Sequence, residues 1–274
     1  MNQKNIDSRM LAFNLSKRIL QLAYNNSASH VGGALSVKDI LSVLYGKVLN
    51  YDTANPKNAS RDRLFYSKGH ACLSLYTILY EVGFYSLEEL ETFTSNGSYF
   101  TSHVNSKIPG VELSTGSLGH ALSVACGVAL AGKRSNQTYK VFAILSDGEL
   151  DEGSNWEAIL FAAHHKLDNL TIIIDYNKIQ SFGTVHEVLN LEPLSDKLNA
   201  FGWNAIEVDG HNHENLTAVF NKANITTNNP TAIIAHTIKG KGVSFMENEL
   251  AWHYKSPNEE QLAEGLKLLE LNSK

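Results

Sequence analysis

Lys140–Gln180 reads KVFAILSDGELDEGSNWEAILFAAHHKLDNLTIIIDYNKIQ. Residues 140 to 145 and 170 to 175 are short β-branched and aromatic runs, the composition of buried strands. Between them Trp156, Ile159, Leu160, Ala163 and Leu167 recur at the spacing of one helix face, so the segment predicts strand, helix, strand. A crossover of this kind makes the two strands parallel and sends both carboxyl ends to one edge of the sheet, where open α/β folds collect their ligands. Asp147 follows the first predicted strand and Asn177 the second, so their side chains are expected in one crevice.

Both residues offer oxygen. A carboxylate, an amide oxygen and a few waters suit a hard divalent cation such as Mg2+, which commonly completes its octahedron with phosphate oxygens. Gly148 leaves room for a phosphate at the backbone, and a helix beginning near Glu152 or Gly153 would point its amino end to the same region. A diphosphate held through Mg2+, with Asp147 and Asn177 as ligands, is the expectation. Taken singly, an Asp-Gly after a strand is a turn and an Asn closing a strand is a cap. Their order along one βαβ unit is what points to a site.

Ser146-Asp147-Gly148, a helix, then Asn177 after the next strand resemble the metal and diphosphate fingerprint of thiamin-diphosphate enzymes, with Ser in place of the usual first Gly. The flanking words GELDEGSNWEA, AAHHKLDNL and DYNKIQSFGT resemble transketolase, and more particularly its separate amino-terminal subunit. The resemblance covers nearly the whole chain. It implies an α/β fold with a doubly wound, mostly parallel sheet flanked by helices, and thiamin diphosphate with Mg2+ as cofactors. It also implies that the main-chain carbonyl of Ile179 is a third metal ligand.

Composition agrees with one large α/β domain over residues 1–274: 43% of residues are hydrophobic and 19% charged. Net charge is −5 and no long basic run occurs, so nucleic acid is not an expected partner. A phosphorylated substrate would need local positive charge. The opening MNQKNIDSRM lacks the apolar core of a signal peptide, and no apolar run is long enough to span a bilayer, so a cytoplasmic protein with no membrane partner is expected. Cys72 and Cys126 have no Cys-x-x-Cys spacing and read as free buried thiols.

Along the chain, Leu11, Leu15, Ile19 and Leu22 predict a helix from about Asn5 to Asn25. Gly32 and Gly33 read as a turn, which leaves His30 in a loop, and Ser36 with Asp39 reads as a capping box before the next helix. A short strand-like run leads to Lys68-Gly69-His70 opening a helix, where a Gly-His pair can donate hydrogen bonds to an anion. Residues 71 to 94 read as two helices, the second announced by Ser86 with Glu89. The long loop Ser95–Ser114 holds His103; loops of this length are usually functional or disordered. From Gly116 through Ala129 small residues predict a helix that another element can approach closely. His211 and His213 read as a solvated turn, lacking a third ligand for a metal. The lysines of TIKGKG suggest either anion affinity or a mobile loop. Ser256-Pro257 is expected to start a last helix carrying Leu262, Leu266 and Leu269.

By resemblance to the family, His30 lines the substrate channel, His70 contacts the cofactor diphosphate, and His103 stands beside the reacting carbonyl. His253 meets both diphosphate and donor sugar, although Tyr254 replaces a common Gly. Gly116, Ser117 and Leu118 correspond to the loop that holds the aminopyrimidine, Gly148 and Asn177 to cofactor contacts, and Glu112 to an acidic residue at a subunit interface. His120 and Ala121 replace the usual Gln and Gly. The same resemblance implies transfer of a two-carbon ketol unit from a ketose or ketose phosphate to an aldose. The Glu that activates the aminopyrimidine sits on a second domain in the family, so a separate carboxy-terminal partner subunit in an α2β2 assembly is expected. An unrelated Mg2+ phosphohydrolase, a deoxyxylulose-phosphate-synthase-like chain, the alpha subunit of a 2-oxoacid dehydrogenase and a non-catalytic cofactor-binding subunit stay open at this point.

Overall fold

Every residue of the apolar runs 141–146 and 170–176 is buried, the condition of strands covered by helices on both faces. The computed structural model describes residues 6–225 and 227–272, so the expected helix start near Asn5 lies outside the described residues. Helices α1 (Ser8–Asn25), α2 (Val31–Ser36) and α3 (Lys38–Val43) precede strand β1 (Arg63–Tyr66), α4 (Cys72–Glu81), α5 (Leu87–Leu90) and α6 (Ala121–Arg134). Strand β2 (Val141–Ser146), α7 (Gly153–His164) and β3 (Leu170–Tyr176) form the expected βαβ unit. Then come α8 (Val185–Val188), α9 (Leu194–Ala200), β4 (Asn204–Asp209), α10 (His213–Ile225), β5 (Thr231–His236) and α11 (Glu259–Asn272).

All strand pairs are parallel, in the order β1-β2-β3-β5-β4. Side chains alternate between faces along each strand, and two cores result. Phe142, Ile144, Ile173 and Ile233 pack on one face beneath α1, α3, α4 and α10; Val141, Ala143, Leu145, Ile172 and Ile174 pack on the other beneath α6, α7 and α9. Burying each such side chain contributes about 1.5–3 kcal/mol. Both cysteines are free and buried. No helix among the described residues is long and apolar enough to cross a membrane.

Capping follows local chemistry where the cap is local. The Asp7 side chain accepts the Arg9 N–H at 2.9 Å at the start of α1, and Ser86 with Glu89 makes a reciprocal capping box on α5, a single turn.

Five expectations need correction. Gly32 and Gly33 lie inside α2, and a Cβ at Gly32 would meet Lys239 Cγ at 3.0 Å and Trp252 at 3.4 Å. Gly32 serves close packing. Ser36 caps nothing; its hydroxyl donates to Asp175 Oδ2 at 2.5 Å and lies 3.0 Å from Gly33 O. The small-residue helix begins only at Ala121, with Gly116 and Gly119 in the preceding loop. The last helix begins at Glu259, where Asn258 and Gln261 cap each other reciprocally, while Ser256 Oγ donates to Ala23 O. His211 and His213 are not a solvated turn: Asp39, far away in sequence, draws both inward, and His213 is buried.

Candidate cofactor and active site

Four strands deliver the segments that matter, all at the carboxyl edge of the sheet. Ser67–His70 follow β1, Asp147–Gly148 follow β2, Asn177–Ile179 follow β3 and Thr237–Lys239 follow β5. Residues from each segment line one cavity of about 240 Å3. Asp147, Asn177, Ile179 and Gly148 lie on its wall together with Gly116, Leu118, His30, His70 and His253. Ser117 is exposed and does not line it. Glu152 and Gly153 do not reach it either, because a 3-10 turn, Gly148–Asp151, separates Asp147 from α7.

The oxygens on this wall are held by backbone. Asp147 Oδ1 accepts Gly148 N–H at 2.8 Å and Oδ2 accepts Lys178 N–H at 2.6 Å. Burial, and then the charge of Asp175, nevertheless push the Asp147 carboxyl up to about 6. Lys178 takes a left-handed φ of 67°, which turns the chain between Asn177 and Ile179. Asn177 Nδ2 donates to Ser36 Oγ at 3.3 Å, and its Oδ1 accepts Ile179 N–H at 3.1 Å. Among the described residues no three His, Cys, Asp or Glu side chains gather as a protein-only metal cage. The set of one carboxylate, one amide and one carbonyl is of another kind, and fits a hard cation that takes its remaining oxygens from phosphate and water.

Histidines pack around the cavity. The His30 ring lies 4.9 Å from that of His253, 5.3 Å from His70 and 6.3 Å from His103, and His70 stacks on His253 at 5.9 Å. His30, at a left-handed φ of 64°, donates its backbone N–H to His253 O at 3.0 Å. Burial, then the charges of His103 and Lys239, lower His30 to about 4. Burial, then Lys239, lower His253 to about 3, and burial with Lys68 holds His70 well below the usual imidazole range. His103 comes from the irregular loop 95–114 and lies against Gly116, where a Cβ would meet its Cδ2 at 3.0 Å.

Several members of the site were not singled out in the sequence. Lys68 is buried with its ammonium on Asp175, and Asp175 also accepts from Ser36 and Thr237. Lys239 donates to Ile179 O at 2.8 Å and lies 2.9 Å from His253 Nδ1; burial brings it down to about 8. Of the two TIKGKG lysines, Lys239 therefore lines the cavity, whereas Lys241 lies in another beside Glu247. Glu149 accepts from Ser67 and from Gly119 N, tying the β1, β2 and Gly116 loops together. Lys68 beside Gly69-His70 was the visible signal; Asp175 and Glu149 gave none. Glu112 is engaged within the chain by Arg61.

A family model described as "Transketolase, thiamine diphosphate binding domain" matches residues 12–272. The class of the molecule is therefore a thiamin-diphosphate-binding α/β domain. An apulose-4-phosphate transketolase subunit of Phocaeicola vulgatus is 40% identical over 251 residues, covering 92% of this chain and 89% of that protein. A 6-deoxy-6-sulfo-D-fructose transketolase subunit of Clostridium sp. is 39% identical over 261 residues, 95% of each chain. The chain belongs to the transketolase family. Among solved structures, transketolase from Campylobacter jejuni superposes with a TM-score of 0.82 at 29% identity over 97% of this chain and 46% of that one. The chain thus spans under half the length of that solved relative.

Proposed function

We propose that this chain is the diphosphate-binding subunit of a two-chain transketolase, which moves a two-carbon ketol unit from a ketose or ketose phosphate to an aldose. The observation that carries this reading is the shared cavity: an oxygen set fit for Mg2+ and three half-buried, neutral imidazoles line the same wall. Side-chain oxygens of Asp147 and Asn177 and the Ile179 carbonyl would hold Mg2+. Lys68, Lys239 and His70 would meet diphosphate charge, Gly148 gives it room, and Gly116 and Leu118, on the cavity wall, would hold the ring end of the cofactor. Bound thiamin diphosphate supplies a carbon nucleophile for ketose carbonyls. His30, His103 and His253 then orient sugar hydroxyls and move protons to and from them, work suited to imidazoles.

Relatives named as transketolase subunits, matched over nearly their whole length, support a separate partner chain, and we read the assembly as two copies of each, in the cytoplasm. The test is to purify this chain with the chain encoded beside it, titrate with Mg2+ and thiamin diphosphate by calorimetry, and screen ketose donors. Mg2+-dependent uptake and ketol transfer by the pair are expected. Uptake without Mg2+, or transfer by this chain alone, contradicts the proposal, and turnover of pyruvate instead of ketoses moves it to the 2-oxoacid enzymes.

A further inference from the structure

Asp39, in the first turn of α3, gathers its neighbour Lys38 and two histidines from a distant part of the chain. Its Oδ1 lies 3.0 Å from His213 Nε2; its Oδ2 lies 2.9 Å from Lys38 Nζ and 2.7 Å from His211 Nδ1. Burial alone would raise its pKa, but the Lys38 charge and the hydrogen bonds from both histidines hold it well below the usual range. A carboxylate can only accept, so Nδ1 of His211 must carry the proton. The opposite nitrogen, Nε2, is left as an acceptor and takes the backbone N–H of Ile238 at 2.9 Å. One imidazole therefore links a buried carboxylate to a backbone N–H, with its tautomer fixed at both ends.

Ile238 immediately precedes Lys239. The loop that carries them is tied by the Thr237 hydroxyl to Asp175 and by Gly240 N–H to Gly32 O at 2.9 Å. Between those two anchors His211 holds Ile238. On the far side of the same loop the Lys239 ammonium reaches Ile179 O and His253 in the cofactor cavity. Neither Asp39 nor His211 lines that cavity; both line a separate one of about 750 Å3 beside α1 and α11.

We infer that Asp39 and His211 form a positioning relay that sets Lys239 in the cofactor cavity and thereby tunes diphosphate affinity. The inference rests on the cofactor reading above, so its test has a readout that does not need the cofactor. In the ligand-free two-chain complex, His211→Leu removes both hydrogen bonds. His211→Gln restores a donor and an acceptor on one amide, spaced like the two ring nitrogens. Amide hydrogen exchange over residues 237–242 should quicken about tenfold in His211→Leu and stay near wild type in His211→Gln, tenfold being what the loss of one hydrogen bond allows. Unchanged exchange in His211→Leu overturns the relay, whatever becomes of the functional proposal.

With cofactor present, His211→Leu should raise half-saturation for thiamin diphosphate about tenfold with kcat held within about twofold, the mark of lost binding rather than lost chemistry. In a Lys239→Ala background the same substitution should add nothing further, because both act through one group. Additive losses, or a fall in kcat that His211→Gln does not rescue, would assign His211 a merely structural part. Should the wild-type complex take up no cofactor, the functional proposal falls while the exchange data still decide the relay.

Discussion

Asp147 answers to opposing influences: burial and the Asp175 charge favour its protonated form, while two backbone N–H groups favour the carboxylate. Mg2+-dependent uptake of thiamin diphosphate should fall by at least about a hundredfold in Asp147→Asn, since outer partners of a metal alone cost 10–100-fold. Calorimetry on the folded variant measures it, and undiminished uptake would remove Asp147 from the metal. The histidines give a pH test. His30 and His253 titrate near 4 and 3 in the ligand-free fold but near 6.5 when unfolded, so between these limits the unfolded chain binds more protons. They contribute a loss of stability as pH falls from about 6.5 toward 4, and His253→Asn should flatten that slope in denaturation curves. Beneath the site, Lys68→Met leaves Asp175 charged and uncompensated at zero exposure, which should cost about 3–5 kcal/mol and be visible as a lower Tm. None of this buried pairing was legible in sequence. A lysine or aspartate is ordinarily a surface residue, and only the meeting of β1, β3 and β5 ends makes these two partners.

At the scale of elements, the loops around the cavity depend on positions where no side chain fits. Gly69 is one: a Cβ there would collide with the Thr115 carbonyl group, which must pass close for Gly116 to reach the cavity wall. Gly119 is another, with φ 83° and a would-be Cβ 2.5 Å from Ser154 Oγ. Gly119→Ala should destabilise by about 1–3 kcal/mol and weaken cofactor uptake with it, checked by urea titration and calorimetry on one preparation. The βαβ unit could be read directly because β-branched runs and a 3.6-residue period are local signals, and the crossover rule does the rest. Gly32-Gly33 misled for the converse reason. A glycine pair reads locally as a turn, whereas here both lie in a helix and Gly32 admits Lys239 and Trp252 from the other end of the chain. His211 and His213 misled likewise, their burial being decided by Asp39.

For the whole molecule, linkage predicts that saturation with Mg2+ and thiamin diphosphate stabilises the assembled protein, by about 2.7 kcal/mol at a hundred times the dissociation constant. A Tm that does not move with cofactor concentration would contradict the cofactor reading. The sheet itself has a further consequence. Because every strand runs the same way, the chemistry collects on one rim, and the opposite rim carries connections such as the exposed turn 135–137. That asymmetry gives an engineer a working side and a blank one. A flexible insert spliced after Asn136 should leave coenzyme uptake intact, whereas the same insert after Gly116 should abolish it, so reporters, tethers and surface anchors belong on the blank rim.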